Sequence, residues 1–307
     1  MIVVTGAHGF IGHAFCRRAV QTGLVVRRIV RVAADDGEVA VDLAGAGPEA
    51  LVPLLAGADA VVHLAGRAHR PGETGPAFDR IYGAANERAT RVLGRAAVVA
   101  GVRRFVFAST VKVNGESTPP HGAFRPTDKP APGDAYACSK HAAEVALLDA
   151  VRASATTAIV LRLPLVYGPG AKGNFRALID AVRAGRWLPL GAVDNRRSLV
   201  GIDNLVDAIA AAVAAPVEAQ GVHFVADANS VSTPALVRAI AAALGVSPRM
   251  AAVPVPLLRL AASVIGRRGA VDRLTRSLEV DASSFASATD WRPRAFAIDA
   301  AAVARER

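Results

Sequence analysis

Gly6-Ala7-His8-Gly9-Phe10-Ile11-Gly12 lies between a short β-branched run at residues 2–4 and a stretch of helical spacing at 10–20. Only glycine lets a backbone turn this tightly and come close to a bulky anion. The helix that follows turns its free N–H groups and positive dipole end toward the same point. A strand, three glycines and a helix in this order predict a cradle for a dinucleotide pyrophosphate, walled by Gly6, His8, Gly9, Phe10, Ile11 and Gly12.

The alternation continues beyond the loop. Strands are predicted at 24–32, 39–42, 60–64, 104–108 and 157–163, and helices at 86–100 and 136–153. Strands alternating with helices give right-handed crossovers, hence an α/β fold of the Rossmann-like, doubly wound parallel kind. After Leu163 the rhythm loosens at Pro164, Pro169, Gly170 and Gly173. Helices at 180–185, 203–215, 234–244 and 254–265 follow, with short strands at 199–202 and 223–226. Residues 1–165, joined by 201–228, are therefore expected to form an NAD(P)-binding domain, and 166–307 mainly a smaller C-terminal substrate-binding cap. The stretch 114–133 is rich in Pro and Gly and reads as a long loop.

Composition narrows the function classes. With 307 residues, 52% of them hydrophobic and 20% charged, the chain carries enough apolar material for a sizeable core, which excludes intrinsic disorder. The net charge is +10, almost all from arginine, since Lys112, Lys129, Lys140 and Lys172 are the only lysines. The arginines are scattered over many predicted helices without interleaved aromatics, so they read as a solvated surface and no nucleic-acid partner is expected. Two cysteines, Cys16 and Cys138, allow no disulfide framework and show no metal-ligand spacing, so no metal is expected and a cytoplasmic location is. The longest uncharged apolar runs, 208–217 and 251–258, fall short of the ~20 residues of a spanning helix, and no signal peptide is read at the N-terminus.

Two further features carry chemistry. Tyr136 and Lys140 stand four apart on a predicted helix, which puts both side chains on one face. A free phenol has a pKa near ~10, and a neighbouring ammonium favours the phenolate, so the pair reads as a general base and acid. At the end of the second predicted strand, Val30-Arg31-Val32 offers no acid for a ribose 2′-hydroxyl but one cation for a 2′-phosphate, which favours NADP over NAD.

The G-x-x-G-x-x-G spacing resembles that of the extended short-chain dehydrogenase/reductase superfamily, and further strings resemble its NAD-dependent epimerase/dehydratase family. Asp42-Leu43 matches the adenine-contacting pair, and His63-Leu64-Ala65-Gly66 the strand ending beside the cofactor. Ser109-Thr110-Val111-Lys112-Val113-Asn114-Gly115 resembles the Ser-Ser/Thr-x-x-Val-Tyr-Gly segment. That resemblance places the catalytic hydroxyl on Thr110, with Ser109 as second choice and Lys112 toward the substrate. Asn86 and Thr90 resemble a structural Asn-x-x-Gly-Thr, with Ala89 in place of the glycine. Residues 162–170, Arg-Leu-Pro-Leu-Val-Tyr-Gly-Pro-Gly, resemble the signature of nucleotide-sugar epimerases, dehydratases and reductases. The resemblance implies that Asn174, Arg197 and Arg273 bind the sugar diphosphate, which suits the paired N–H donors of guanidinium.

One departure matters. Where sugar 4,6-dehydratases of this family carry Asp-Glu after the catalytic threonine, this chain has Val111-Lys112, so elimination of water is not expected. The resemblance implies redox chemistry at C4 of a UDP- or dTDP-hexose. A 4-keto-sugar reductase of polysaccharide precursor synthesis is the first expectation, and a UDP-hexose 4-epimerase with tightly held NAD the alternative. A catalytically silent NAD(P) sensor and a nucleic-acid-binding protein are remote readings. A homodimer is implied by resemblance alone.

Overall fold

Successive residues of a strand point to opposite faces, and the central strands of this chain are buried on both. The computed structural model describes residues 1–304 apart from Pro71, Pro120, Ile265 and Arg267. Its strands are β1 (Ile2–Thr5), β2 (Val26–Val30), β3 (Glu38–Ala40), β4 (Ala60–His63), β5 (Arg104–Thr110), β6 (Thr157–Leu163), β7 (Leu165–Tyr167), β8 (Leu199–Gly201) and β9 (Gly221–Phe224). Seven of them form one sheet in the order β3-β2-β1-β4-β5-β6-β9, with every neighbouring pair parallel. This is the Rossmann-like α/β fold expected. β7 and β8 pair separately, also parallel.

The helices are α1 (Phe10–Gln21), α2 (Pro48–Leu55), α3 (Pro76–Tyr82), α4 (Ala89–Val99), α5 (Ala135–Val151), α6 (Asn174–Arg183), α7 (Ile202–Ala214), α8 (Thr233–Ala243), α9 (Val255–Val264), α10 (Arg268–Thr275), α11 (Ser283–Ala288) and α12 (Ala300–Val303). On one sheet face Val4, Val62, Val106 and Ile159 pack with Phe15 of α1 and with Leu205 and Ile209 of α7. On the other, Val3, Val61, Phe105 and Phe107 pack with Leu51, Leu93 and Leu147 of α2, α4 and α5. A third apolar cluster, including Phe175, Ile179, Val182 and Val237, joins α6 to α8.

Several boundaries moved for identifiable reasons. The second strand starts at Val26, because Leu24 is still closing α1 through its N–H to Ala19 O, at 2.9 Å. The helix expected at 86–100 is reached through α3 and a π-helical turn, Gly83–Arg88. α6 begins at Asn174, six residues before the predicted start, behind a Gly173 at φ +68° that breaks the chain into the helix. The helix predicted at 254–265 is α9, and Ile265 lies outside the described residues. α2 and α10 were not predicted; a Pro inside α2 and the arginines of α10 mask their periodicity.

Beneath the sheet's C-terminal end lies a buried ionic cluster. Glu144 of α5 accepts from Arg162 of β6 through Nε at 3.0 Å and Nη2 at 2.6 Å. Ser109 Oγ donates to the same carboxylate at 2.5 Å, and Arg162 Nη1 donates to Asn114 Oδ1 at 2.8 Å. The cluster ties the α5 helix to β5 and β6. Arg162→Met strands a buried carboxylate and is expected to lower unfolding free energy by about 3–5 kcal/mol in urea titrations, whereas Arg162→Met with Glu144→Leu is expected to recover most of the loss.

Candidate active site

The glycine loop has no room for side chains. Gly6 sits at φ +71°, and a Cβ there would lie 2.6 Å from Ala65 N. A Cβ on Gly12 would lie 2.1 Å from Gly6 O. Gly9 caps α1 with extended backbone and donates to Gly6 O at 2.9 Å. The loop therefore lies flat against the β4 exit, with α1's N-terminus behind it, and fits a dinucleotide pyrophosphate. Ile11 packs into the sheet core, while Phe10 packs toward the cap.

The adenosine end holds a residue that sequence reasoning missed. Arg31 is exposed just past β2, and Asp42 turns its carboxylate onto the N–H of Ala44 at 3.1 Å, while Leu43 is buried. Glu38, at the start of β3, folds back to the glycine loop. Its side chain, 1% exposed, meets His8 Nε2 at 2.7 Å and Arg28 Nη1 at 3.1 Å. It also accepts the Ala34 N–H at 2.8 Å. Arg28 is further engaged by Asp35 at 2.7 Å. No local spacing could place Glu38 there, because a parallel β2–β3 pairing brings it in.

The β4 exit is held by side chains. Asn86, placed by the π-helical turn, accepts the Arg67 N–H at 2.8 Å and donates to Ser139 Oγ at 2.9 Å. Ser139 Oγ in turn donates to Tyr136 O at 2.7 Å, so Asn86 links the chain after Leu64-Ala65-Gly66 to the first turn of α5. Below them, His63 is buried between Thr5 Oγ1 at 2.6 Å and Thr90 Oγ1 at 3.0 Å. Thr90 spends its hydrogen on Asn86 O at 2.6 Å, so His63 must donate through Nε2 and accept through Nδ1. Burial and the nearby Lys140 hold His63 neutral, its pKa brought down to about 3.

Strand alternation separates the two candidate hydroxyls. Thr110 lines the cleft, whereas Ser109 faces the other way, onto Glu144. Asp134 caps α5 by accepting the Ala137 N–H at 2.7 Å, which sets the helix that carries Tyr136 and Lys140. Burial pushes the Tyr136 phenol up to about 12, with the Thr110 hydroxyl pulling the other way. Burial also brings the Lys140 ammonium down to about 7, with Glu144 opposing. Lys140 Nζ lies 4.0 Å over the Phe107 ring, and no ion-pair partner for it is present among the described residues.

A cleft of about 620 Å³ unites the remaining predicted residues. Thr110, Lys112 and Tyr136 line it from the elements of the large sheet, and Asn174, Arg197 and Arg273 from the C-terminal half of the chain. Arg197 Nη1 donates to Arg273 O at 2.8 Å and Arg276 O at 3.1 Å, at the C-terminal end of α10, which complements that helix dipole. Lys112 Nζ is engaged by Glu116 at 2.5 Å and Asp134 at 2.6 Å. His69 and Tyr82, also unforeseen, set their rings edge-on to Tyr136 at centroid distances of 6.0 and 5.9 Å. Leucines such as Leu163, Leu178, Leu236 and Leu278 make up much of the remaining wall.

A family model described as "NAD dependent epimerase/dehydratase family" matches residues 2–226. A UDP-glucose 4-epimerase of Vibrio cholerae is 36% identical over 297 residues, covering 95% of this chain and 90% of the relative. A dTDP-6-deoxy-L-talose 4-dehydrogenase (NAD(P)(+)) of Kitasatospora kifunensis is 31% identical, covering 69% of this chain and 70% of the relative. The crystal structure of a Thermus thermophilus UDP-glucose 4-epimerase complexed with NAD has the same fold, with a TM-score of 0.75 at 22% identity, covering 98% of this chain and 96% of that one.

The shifted pair sets a pH dependence. Below about 7 both Tyr136 and Lys140 hold their protons, and above it the buried amine is the first of the two to lose one. Turnover with the bound cofactor is expected to fall about tenfold per unit below that point and to level off above it, read from a kcat/KM–pH profile. Lys140→Met leaves Tyr136 to titrate alone. The break is then expected several units higher and the rate at pH 8 at least about 100-fold lower.

Proposed function

Since the chain belongs to the NAD-dependent epimerase/dehydratase family, we propose that it interconverts the C4 epimers of a UDP-hexose on a retained NAD. The observation that carries this reading is one cleft lined by Thr110 and Tyr136 together with Arg197 and Asn174. The first two offer a hydroxyl pair for a reacting carbinol, and Arg197 offers a guanidinium for a diphosphate. The choice of NAD rests on Glu38 and Asp35, which already neutralise Arg28. A 2′-phosphate there would sit against two carboxylates, whereas a 2′-hydroxyl can donate to one.

The nicotinamide, when bound beside Lys140 and Tyr136, supplies a reversible hydride acceptor. Tyr136 takes the proton from the C4 hydroxyl, and Lys140 stabilises the phenolate form. Thr110 hydrogen-bonds the C4 oxygen as its charge changes. Arg197 and Asn174 hold the diphosphate while the ketone turns; hydride returned to the opposite face of C4 would invert that carbon, and Tyr136 returns the proton to the C4 oxygen. Ser109 holds Glu144 and takes no part in proton transfer.

A second reading, reduction of a free 4-keto sugar by dissociable NADPH, is favoured by the exposed cation of Arg31 at the end of β2. The two readings separate in one experiment. Purified protein is expected to release NAD on denaturation and to interconvert UDP-galactose and UDP-glucose without added cofactor. Release of no cofactor, with consumption of added NADPH on UDP-4-keto-6-deoxy-GlcNAc, would establish the reductase instead. Tyr136→Phe is expected to lower turnover by at least about 100-fold with cofactor retention unchanged. A Tyr136→Phe enzyme as fast as wild type would refute the assigned base.

A further inference from the structure

The cap carries an apolar face turned outward. On α9, Leu257, Leu260 and Val264 are 57%, 65% and 81% exposed, and Ala261 is exposed beside them. These positions run i, i+3, i+4, i+7, a continuous stripe along one side of the helix. The opposite side is the packed one: Ala262 is buried, and Arg259 pairs with Asp272 of α10 at 3.1 Å. α9 is thus amphipathic with its greasy face to the outside.

A second exposed apolar side chain stands where the chain enters α9. Leu188 N–H donates to Arg249 O at 2.9 Å, and Ala251 N–H donates to Leu188 O at 3.0 Å. This short ladder leads into α9 and turns Leu188 inward to the cleft. Its neighbour Trp187 is left 69% exposed, with Arg186 and Arg249 exposed on either side.

The charge of the region points to the occupant. From Gly245 to Val271 the sequence holds four arginines, at 249, 259, 267 and 268, and the first acid after Gly245, Asp272, is taken up by Arg259 on the packed side of α9. Arg268, just past the stripe, is exposed. A stripe of leucine and valine, an exposed tryptophan and the exposed guanidinium groups of Arg249 and Arg268 suit an anionic lipid headgroup layer. The side chains enter the acyl boundary while the arginines meet phosphate. No helix among the described residues is long and apolar enough to cross a membrane, so such contact lies in the interface plane.

We infer that the outer face formed by α9 and Trp187 is a docking surface for an anionic lipid bilayer, independent of which sugar the cleft takes. α10, against which α9 packs, also carries Arg273 and Leu274 of the cleft wall, so docking holds the cleft beside the headgroup layer.

Co-sedimentation of the full chain with vesicles tests this. The wild-type protein is expected to partition onto phosphatidylglycerol vesicles at least tenfold more than onto phosphatidylcholine vesicles, and to be released by salt. Trp187 emission should shift to the blue on binding; Trp291, the other tryptophan, is already buried and should not respond. Leu257→Glu with Leu260→Glu is expected to cut partitioning at least tenfold while leaving turnover of soluble substrate unchanged. Arg249→Glu with Arg268→Glu, both at exposed positions, gives the same test without touching the stripe. Absence of binding to phosphatidylglycerol, or binding that neither pair of changes weakens, would overturn the inference. So would a wild-type dimer dissociated by Leu260→Glu with no vesicle partitioning, which would make the face an interface between two copies.

Discussion

The geometry of the cleft rests on one buried ion pair. Glu144 and Arg162 meet in a bidentate contact under the C-terminal edge of the sheet, with Ser109 and Asn114 satisfying their remaining polar atoms. Such a pair adds little net stability over apolar residues of equal volume, because desolvation offsets its attraction. Its contribution is geometric. Glu144 stands one helical turn beyond Lys140, so locking its carboxylate to β6 sets the rotation of α5 about its own axis. That rotation decides whether Tyr136 and Lys140 face Thr110 or the solvent. Asp134 at the N-cap and Asn86, through Ser139, hold the other end of the same turn.

Burial then does the electrostatic tuning. The same desolvation raises the Tyr136 phenol, lowers the Lys140 ammonium and keeps His63 neutral. A neutral His63 fixed in one tautomer places no second cation beside Lys140. Burial thus leaves one phenol held up and one amine held down, side by side on the same helix face.

The cleft divides its labour between two kinds of backbone. The end of β5 holds Thr110 with little freedom, since that strand is paired along its length with β6, and the capped first turn of α5 holds Tyr136. The cap supplies Arg197, tied to the end of α10, and a leucine-rich wall. The two sets of residues that line the cleft thus come from separately built parts of the chain.

Much of this was legible in the amino-acid sequence, because it depends on local constraints. The glycine loop follows from backbone sterics at Gly6 and Gly12, the sheet from runs such as residues 104–108 and 157–163, and the Tyr136–Lys140 pairing from helical spacing. Thr110, Asn174, Arg197 and Arg273 were placed by resemblance, and the fold gathers them in one cleft. What only the tertiary structure decided depends on contacts between distant segments. Strand direction gave Thr110 to the cleft and Ser109 to Glu144. Parallel pairing carried Glu38 to the glycine loop, where Arg31 alone had spoken for the cofactor. The packing of α9 on α10 turned Leu257, Leu260 and Val264 outward, although the spacing of these residues is the same as that of a buried stripe. Periodicity tells which residues share a face, but only the neighbours that the fold brings together determine what that face meets.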